Sequence, residues 1–259
     1  MEQKPKPVLV ADDQSMNQKL FSVILDKLGY DCILAGDGEE AVVKALSKEP
    51  VLVFMDIQMP KMNGYEASKN LRDRGFKNPI IAVTAGDPMN EQANYLNAGI
   101  DDILTKPVKK SDIEKMLEKW INVRHEASGN FAQSPVQNNQ NPASSSVVFD
   151  SAGMLETFMH DEATALPLIS RFIERTRLQL ENIPALKEAG DWESARREAH
   201  TIRGAAFTIG GMELGNAAAN LEQACKNASK EETEIAYPPA LRAYMRFKKE
   251  AEEFINARK

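Results

Sequence analysis

The sequence predicts two domains of different fold class, an α/β domain with a parallel sheet followed by an all-α domain. Up to residue 124, short β-branched runs alternate with amphipathic segments, which is typical of a sheet with helices on both faces. A polar stretch follows, and after it the strand patterns give way to long helical patterns. A chain of 259 residues is long for one compact domain and comfortable for two.

Five apolar runs predict the strands of the first domain. Because the runs are almost continuously apolar, they favour burial on both faces, as in a parallel sheet. An amphipathic pattern follows each run, so we expect a doubly wound five-stranded parallel sheet. The strands are Val8–Ala11, Cys32–Ala35, Val51–Met55, Ile80–Thr84 and Asp102–Thr105, and the helices are Ser15–Leu28, Gly38–Ser47, Tyr65–Arg74, about Glu91–Ala98 and Ser111–Val123.

Residues 125–147 predict a flexible linker between domains at residues 1–124 and 148–259. Asn, Gln, Ser and Pro dominate this stretch, in which Phe131 is the only large apolar ring. Such a composition cannot bury enough surface to offset the entropy that is lost on ordering. The alternative, a polar loop packed on one of the domains, stays open.

Four long helical patterns predict an antiparallel four-helix bundle in the second domain, because the connections between them are short. Pro167 and Pro184 fall within the first pattern, so we expect a kink or an earlier break there. The segment Tyr237–Pro239 punctuates the last pattern near its start. The helices are Asp161–Ala189, Trp192–Ile209, Glu213–Lys226 and Ile235–Ala257.

The composition argues against several classes of function and location. A net charge of −6 argues against nucleic-acid binding, which needs a basic surface. No apolar run is long enough to cross a bilayer, and the N-terminal residues lack the apolar core of a signal peptide. The two cysteines, Cys32 and Cys225, do not suggest a disulfide framework, so we expect a cytoplasmic location.

Polar residues lie at the ends of four predicted strands. Asp12 and Asp13 follow the first strand, Asp56 follows the third, Thr84 ends the fourth and Lys106 follows the fifth. The carboxyl ends of parallel strands share one edge of the sheet, where three carboxylates would repel one another unless a cation neutralised them. Mg²⁺ suits such oxygen ligands, and an aspartate beside it can attack phosphorus as a nucleophile. A single acidic pair in a loop is more often a solvated turn or a helix cap, so the prediction depends on the whole set.

These motifs resemble the receiver domain of response regulators over residues of about 5–124. The resemblance implies the flavodoxin-like fold with strand order 2-1-3-4-5. The matching motifs are ADD at 11–13, MDIQMPKMNG at 55–64, VTA at 83–85 and TKP at 105–107.

The resemblance also implies a role for each acidic residue. Asp56 corresponds to the phosphoacceptor of the family. Asp13 and Asp56 correspond to direct Mg²⁺ ligands, Asp12 to a residue that assists through water, and the backbone carbonyl of Gln58 to the remaining protein ligand. Mg²⁺ is therefore the expected cofactor of this chain.

Three further positions follow from the same resemblance. Thr84 and Lys106 correspond to the pair that contacts the phosphoryl group. The family commonly has an aromatic switch residue on the fifth strand, where this chain has Ile103. The rotation of an aromatic side chain is therefore in doubt here, although Thr84 and the fourth helix could still move.

His200 is the one histidine of three that the helical pattern singles out; His125 and His160 are more often incidental in such positions. His200 lies roughly 130° from the middle of an apolar stripe, so we expect it to face solvent. Arg203 could steady phosphate oxygens, and Gly204, which costs about 1 kcal/mol in mid-helix, suggests clearance for an approaching domain. An ordinary surface histidine with an arbitrary glycine is the alternative. The stripe consists of Ala195, Ala199, Ile202, Ala206 and Ile209.

The segment AHTIRGAAFTIGG resembles the signature of histidine phosphotransfer (Hpt) domains, and the similarity extends over about Phe149–Ile255. His200 corresponds to the phosphorylated histidine of that family. Arg203 replaces the usual lysine, which keeps the charge and alters its shape. Phe207 could be an exposed docking contact, although a partly covered ring is the safer expectation.

The two resemblances together imply a phosphorelay intermediate without catalytic activity of the kinase type. An upstream sensor histidine kinase would phosphorylate Asp56, and His200 would exchange the group with another receiver. The linker permits contact between receiver and Hpt domain within one molecule. Because the chain starts at Met1 with no kinase ahead of it, we expect a middle link of a relay.

Two rival interpretations stay open. In one, phosphorylation of Asp56 reshapes a surface of the first domain, and the bundle binds partners without passing phosphate. In the other, phosphate returns from His200 and is hydrolysed at Asp56, so the chain acts as a phosphate sink. The chemistry is reversible, and the sequence does not fix its direction.

Overall fold

The structure, a computed structural model, describes residues 7–84, 92–121 and 147–258. The chain divides into two compact units, and the division falls between residues 137 and 138. This point lies within the predicted linker, residues 125–147, which is outside the described residues apart from Val147. His125 also lies outside them.

The first unit is built around a five-stranded parallel sheet with strand order β2-β1-β3-β4-β5. The doubly wound fold that the sequence predicts is therefore confirmed. Strand β3 begins and ends one residue later than predicted, so that Asp56 is its last residue. The strands are β1 (Val8–Ala11), β2 (Cys32–Ala35), β3 (Leu52–Asp56), β4 (Ile80–Thr84) and β5 (Asp102–Thr105).

Five helices alternate with these strands, and short polar side chains fix where two of them begin. Asp37 accepts a hydrogen bond from the backbone N–H of Glu40 and starts α2. Asn63 and Glu66 form a reciprocal capping box at the start of α3. The helices are α1 (Ser15–Lys27), α2 (Gly38–Lys48), α3 (Gly64–Asp73), α4 (Gln92–Asn97) and α5 (Lys110–Ile121).

Gly64 brings the start of α3 into direct contact with the end of β3. Its N–H donates to the carbonyl of Ile57 at 2.9 Å. A Cβ atom at position 64 would lie 2.2 Å from the carbonyl oxygen of Asp56, which no side chain tolerates. Only glycine therefore allows this approach, and it fixes the loop between β3 and α3 against the phosphoacceptor candidate.

In the second unit, residues 147–258 form five helices, of which the first was not predicted. The connections between the long helices are short, and their bounds agree with the predicted four-helix pattern apart from the start of α10. Among the helices of the described ranges, none is both long enough and apolar enough for a bilayer. The helices are α6 (Ser151–Thr157), α7 (Glu162–Ala189), α8 (Trp192–Thr208), α9 (Met212–Lys226) and α10 (Lys230–Asn256).

Helix α7 runs through Pro167 and Pro184 without the break that the sequence suggested. A proline at position 184 removes the N–H that would bond the carbonyl of Leu180 in a regular helix. The hydroxyl of Tyr237 on α10 donates to that carbonyl at 2.9 Å. A side chain from a neighbouring helix thus satisfies the acceptor that the proline leaves, and α7 continues.

Helix α10 begins at Lys230, five residues before the predicted start at Ile235, and Pro238 and Pro239 lie inside it. Its cap is Ser229, whose hydroxyl accepts a hydrogen bond from the backbone N–H of Glu232 at 3.2 Å. Serine followed three residues later by glutamate is a recognised start signal, which the two prolines obscured in the sequence.

The short segment before α7 packs onto the bundle. The ring of Phe149 makes edge-to-face contacts with Phe247 and Phe254 of α10, at centroid distances of 5.2 and 5.4 Å. The N–H of Asp150 donates to the carbonyl of Gly210 in the turn between α8 and α9 at 2.8 Å. The segment therefore stabilises the turn that follows the helix carrying His200.

Replacing Tyr237 by Phe is expected to lower the free energy of unfolding by about 1 kcal/mol, because the carbonyl of Leu180 loses its donor. In a Pro184→Ala background the loss should shrink towards zero, since an alanine N–H can bond the same carbonyl. Urea denaturation of the four proteins of this cycle measures the difference.

Tyr244→Phe is the matched control for this cycle. Tyr244 donates to the carbonyl of Ile173 at 3.1 Å, and that carbonyl keeps the helical N–H of Arg177 as a donor. Its replacement should therefore cost less than Tyr237→Phe. An equal loss for Tyr237→Phe with and without Pro184 would contradict the explanation.

Candidate functional site

Three carboxylates meet at the carboxyl edge of the sheet, as the strand order requires. Asp12 and Asp13 follow β1, and Asp56 ends the neighbouring strand β3. One oxygen from each of the three lies within 4.8 Å of the others. Asp12 and Asp56 are 1% and 2% exposed, so their charges are largely removed from water.

Lys106, which follows β5, reaches across the edge to two of these carboxylates. Its Nζ lies 2.6 Å from Oδ2 of Asp56 and 3.0 Å from Oδ2 of Asp12, and its side chain is 3% exposed. Burial alone would lower the pKa of Lys106, but the two carboxylates outweigh it and hold the pKa above its ordinary value. The lysine is therefore positively charged at the centre of the cluster.

The carboxylate of Asp12 is fixed by the first turn of α1. The backbone N–H of Gln14 donates to its Oδ1 at 2.8 Å, and Asn17 Nδ2 lies 3.1 and 3.0 Å from its two oxygens. Burial raises the pKa of Asp12 to about 7, since Lys106 offsets the loss of water only in part and the other carboxylates add repulsion. Asn17 was not among the predicted site residues, although it lies one helical turn from the acidic pair.

The remaining predicted residues of this edge lie close by in the sheet. Thr84 is the last residue of β4 and is 5% exposed, and Val83 before it pairs with Asp56. The backbone N–H of Gln58 donates to Oδ1 of Asp56 at 3.2 Å. Ile103 on β5 is half-buried against the hydrophobic core.

The charges of the cluster favour a divalent cation. Three carboxylates and the Lys106 ammonium leave a net charge of about −2 in a buried setting, which a hard dication would balance. Burial is the main cause of the raised pKa of Asp12, and repulsion from Asp56 and Asp13 adds to it. The donor atoms are all oxygens, as Mg²⁺ prefers.

His200 does not face solvent as predicted, because it lies on the side of α8 that packs against α9. The residue is 5% exposed, and its Nδ1 lies 3.0 Å from Oε1 of Glu222. The helical wheel of α8 alone predicted an exposed ring. It gave no information about a polar partner 22 residues later in the chain.

Glu222 uses its two oxygens for different partners. Oε1 bonds His200, and Oε2 accepts a hydrogen bond from Arg203 Nη1 at 3.0 Å. Arg196, one turn before His200, places a guanidinium nitrogen 3.9 Å from Oε1. Burial raises the pKa of Glu222, but the bond to His200 and the charge of Arg203 outweigh it, so the pKa lies below its ordinary value.

Small residues set the distance between the two helices that carry this network. A Cβ atom at Gly215 of α9 would lie 2.5 Å from the ring of Phe207 on α8, which is half-buried there. Gly204, next to Arg203, is buried, and its carbonyl accepts a hydrogen bond from Thr208 at 3.0 Å. The partly covered Phe207 agrees with the safer of the two expectations.

Glu222 is the functional candidate that the sequence analysis missed. It lies within the quoted segment LEQACK at 221–226, where it reads as part of an amphipathic helix. A glutamate at 6% exposure is unusual without a partner, but burial becomes visible only once α8 and α9 are packed.

Two protein families match separate parts of the chain. The family model of the response regulator receiver domain matches residues 8–118, which include the acidic cluster and Lys106. The Hpt domain model matches residues 167–256, which include His200 and Glu222.

Individual relatives match the first unit. The transcriptional regulatory protein PhoP of Bacillus subtilis is 38% identical over 108 residues, which are 42% of this chain and 45% of PhoP. Hybrid signal transduction histidine kinase I of Dictyostelium discoideum is 38% identical over 46% of this chain and 7% of its own length. Sensor histidine kinase RcsC of Escherichia coli is 38% identical over 42% and 12%. The chain spans less than half the length of these relatives.

Solved structures also cover the first unit. The receiver domain of a Pseudomonas aeruginosa sensor histidine kinase, described with a magnesium ion in its active site cleft, is 33% identical, with a TM-score of 0.43, over 46% of this chain and 98% of that chain. A Vibrio cholerae chemotaxis protein is 27% identical, with a TM-score of 0.43, over 45% and 99%.

Lys106→Met is expected to lower the free energy of unfolding by about 3 kcal/mol in the absence of divalent cations, because two buried carboxylates lose their counter-charge. Lys61→Met is the control: Lys61 pairs with Asp37 at 2.5 Å, but its side chain is 62% exposed, so its loss should be smaller. Urea denaturation compares the two. Equal losses would show that the Lys106 pairs contribute no more than a surface ion pair.

Proposed function

This chain carries a response regulator receiver domain followed by an Hpt domain, and we propose that it is an intermediate of a two-component phosphorelay. Asp56 accepts a phosphoryl group from a sensor histidine kinase, and His200 exchanges the group with another receiver. Neither of the two matched domains is a kinase catalytic domain.

One observation carries this proposal: each unit places one phosphoacceptor candidate inside a network of compensating charges. Asp56 lies 2.6 Å from the ammonium of Lys106. His200 forms a hydrogen bond through Nδ1 to Glu222, and Arg203 donates a hydrogen bond to the same carboxylate. Both candidates therefore have a cation within reach that could balance an incoming phosphoryl group.

The proposed step at Asp56 is a displacement at phosphorus. A carboxylate oxygen of Asp56 forms a P–O bond while the P–N bond to the donor histidine breaks, and the electron pair of that bond returns to the donor ring. Lys106 stabilises the charge on the phosphoryl oxygens, and Thr84 at the end of β4 offers a hydroxyl to them.

A Mg²⁺ ion fits the same edge. Asp13, Asp56 and the Gln58 carbonyl would hold it, with Asp12 assisting through water. Such an ion supplies positive charge to the phosphoryl oxygens during transfer. The net negative charge of the oxygen cluster supports this assignment.

At His200 the hydrogen bond to Glu222 selects the nitrogen that reacts. An ionised carboxylate only accepts hydrogen bonds, so Nδ1 must carry the proton and Nε2 keeps its lone pair. Within the described ranges Nε2 is buried and has no hydrogen-bond partner. Transfer to Nε2 therefore requires that the incoming phosphoryl group gain access to it, and the P–N bond forms as the P–O bond of the aspartyl phosphate breaks.

The comparisons support partners of the two-component class. The receiver resembles domains of proteins described as histidine kinases and as a transcriptional regulatory protein. We infer a sensor histidine kinase upstream and a second receiver downstream. The identity of both depends on surfaces that are specific to the pathway.

Incubation with a small-molecule phosphodonor and Mg²⁺ is expected to label the wild-type chain in two chemically different fractions. The aspartyl phosphate of Asp56 is labile in base, and the phosphohistidine of His200 is labile in acid. Asp56→Asn should lose both fractions, and His200→Gln should lose only the acid-labile one. Phosphate-affinity gels after acid or base treatment measure them.

A second phosphorylated receiver, added to the Asp56→Asn chain, tests His200 directly. Label on His200 supports the relay. The relay is refuted if His200 accepts phosphate neither internally nor from the added receiver. In the wild-type chain with the same added receiver, label that leaves His200 only to be hydrolysed at Asp56 would favour the phosphate sink.

Glu222→Ala is expected to slow phosphoryl transfer to His200 on the order of 10- to 100-fold, because the ring loses its orientation and the preferred tautomer. Glu222→Gln should restore part of the rate, since its amide oxygen can still accept from Nδ1. Glu198→Gln, on α8 with His200 but bonded to Gln179, serves as the control and should transfer normally. Rates from quench-flow labelling decide, and equal rates for Glu222→Ala and wild type would exclude the positioning role.

A further inference from the structure

The start of α3 is rigidly attached to the strand that carries Asp56. The carbonyl of Asp56 lies against Gly64 so closely that a Cβ atom there would be 2.2 Å away. The Gly64 N–H also bonds the carbonyl of Ile57, and the capping box of Asn63 and Glu66 closes the first turn. A change at the end of β3 therefore moves the first turn of α3 with it.

Tyr65, the residue after Gly64, contacts α4. Its ring centroid lies 5.4 Å from that of Tyr95, with the two planes inclined at 47°. Tyr95 is 3% exposed and belongs to the hydrophobic core, on which Tyr65 also packs. The pair joins the first turn of α3 to the middle of the six-residue helix α4.

Strand β5 has no aromatic side chain that could make a comparable ring contact with α4. Ile103, half-buried, packs on the core that Tyr65 and Tyr95 share. Among the described residues of the first unit, one other ring pair occurs, Phe21 with Phe54 at 5.0 Å, and it joins α1 to β3 instead. The tyrosine pair is thus the described aromatic contact that reaches α4.

We propose that Tyr65 and Tyr95 transmit phosphorylation of Asp56 to α4, and that this aromatic pair does so in place of a ring on β5. The proposal rests on the proposed function, since it requires Asp56 to be the phosphoacceptor. Close-packed rings shift together instead of deforming, so a displacement of the α3 start biases the position of Tyr95. Leu96, 71% exposed beside Tyr95, carries the change to the surface of α4.

The test uses the full chain with Mg²⁺ and beryllofluoride, which occupies a phosphoacceptor aspartate as a phosphoryl mimic. Amide chemical shifts of residues 57–64 report binding at the site, and those of residues 93–98 report the response of α4. In the wild type both groups should shift. In Tyr95→Leu and Tyr65→Leu the site should still shift, while the response of α4 falls at least about 5-fold, the size of a modest coupling.

Two controls separate the ring contact from other effects. Tyr95→Phe keeps the ring and should keep the response of α4. Phe21→Leu removes a buried ring of the other pair and should keep it as well. Because Tyr95 is buried, Tyr65→Leu at the half-buried position provides the decisive variant if Tyr95→Leu does not fold.

The outcomes distinguish this proposal from the proposed function. A wild-type response of α4 in Tyr65→Leu, with the site saturated, would overturn the coupling and leave the phosphoacceptor intact. An absence of shifts at 57–64 in the wild type would instead refute Asp56 as the acceptor, and this proposal with it. Loss of the α4 response in Phe21→Leu as well would show that general loosening of the core is the cause.

Discussion

The buried ammonium of Lys106 is the charge on which the carboxyl edge of the sheet depends. It stands between Asp12 and Asp56, which lie 94 and 50 residues away in sequence. The strand order brings β1 and β3 together, and Lys106, directly after β5, is the cation that the described residues place beside them. Without that cation, the carboxylates that the parallel topology brings together would repel one another. The fold therefore depends on a counter-charge from its own edge strand.

The sequence was sufficient to predict the strands of the sheet, because a strand that is buried on both faces appears as a continuous apolar run. Cys32–Ala35 was predicted to the residue, since Asp31 and Gly36 bound it on its two sides. The five site residues of this edge followed from strand ends alone. The contacts of Asn17 and Gln14 with Asp12 did not, because they depend on the direction in which α1 leaves the strand.

The bundle was predicted less completely, because several of its features depend on contacts between helices. A helical wheel describes one helix, so it predicted an exposed His200 and could not supply Glu222 from α9. The prolines suggested a kink or break in α7 and a late start of α10. Helix α7 continues through Pro184, where Tyr237 bonds the carbonyl that the proline leaves, and α10 starts earlier than predicted because Ser229 caps it. Contacts with residues distant in sequence thus outweighed the local helix propensity.

The bond from Tyr237 to Leu180 has a consequence for the divergence of this domain. A hydroxyl at position 237 stabilises α7 most while position 184 is proline, and a proline at 184 costs less stability while that hydroxyl is present. Neither residue takes part in the hydrogen bond that joins His200 to Glu222. Related bundles should therefore have both Pro184 and Tyr237 or neither of them. Such covariation would reflect the hydrogen bonding of the helix and not the transfer of phosphate.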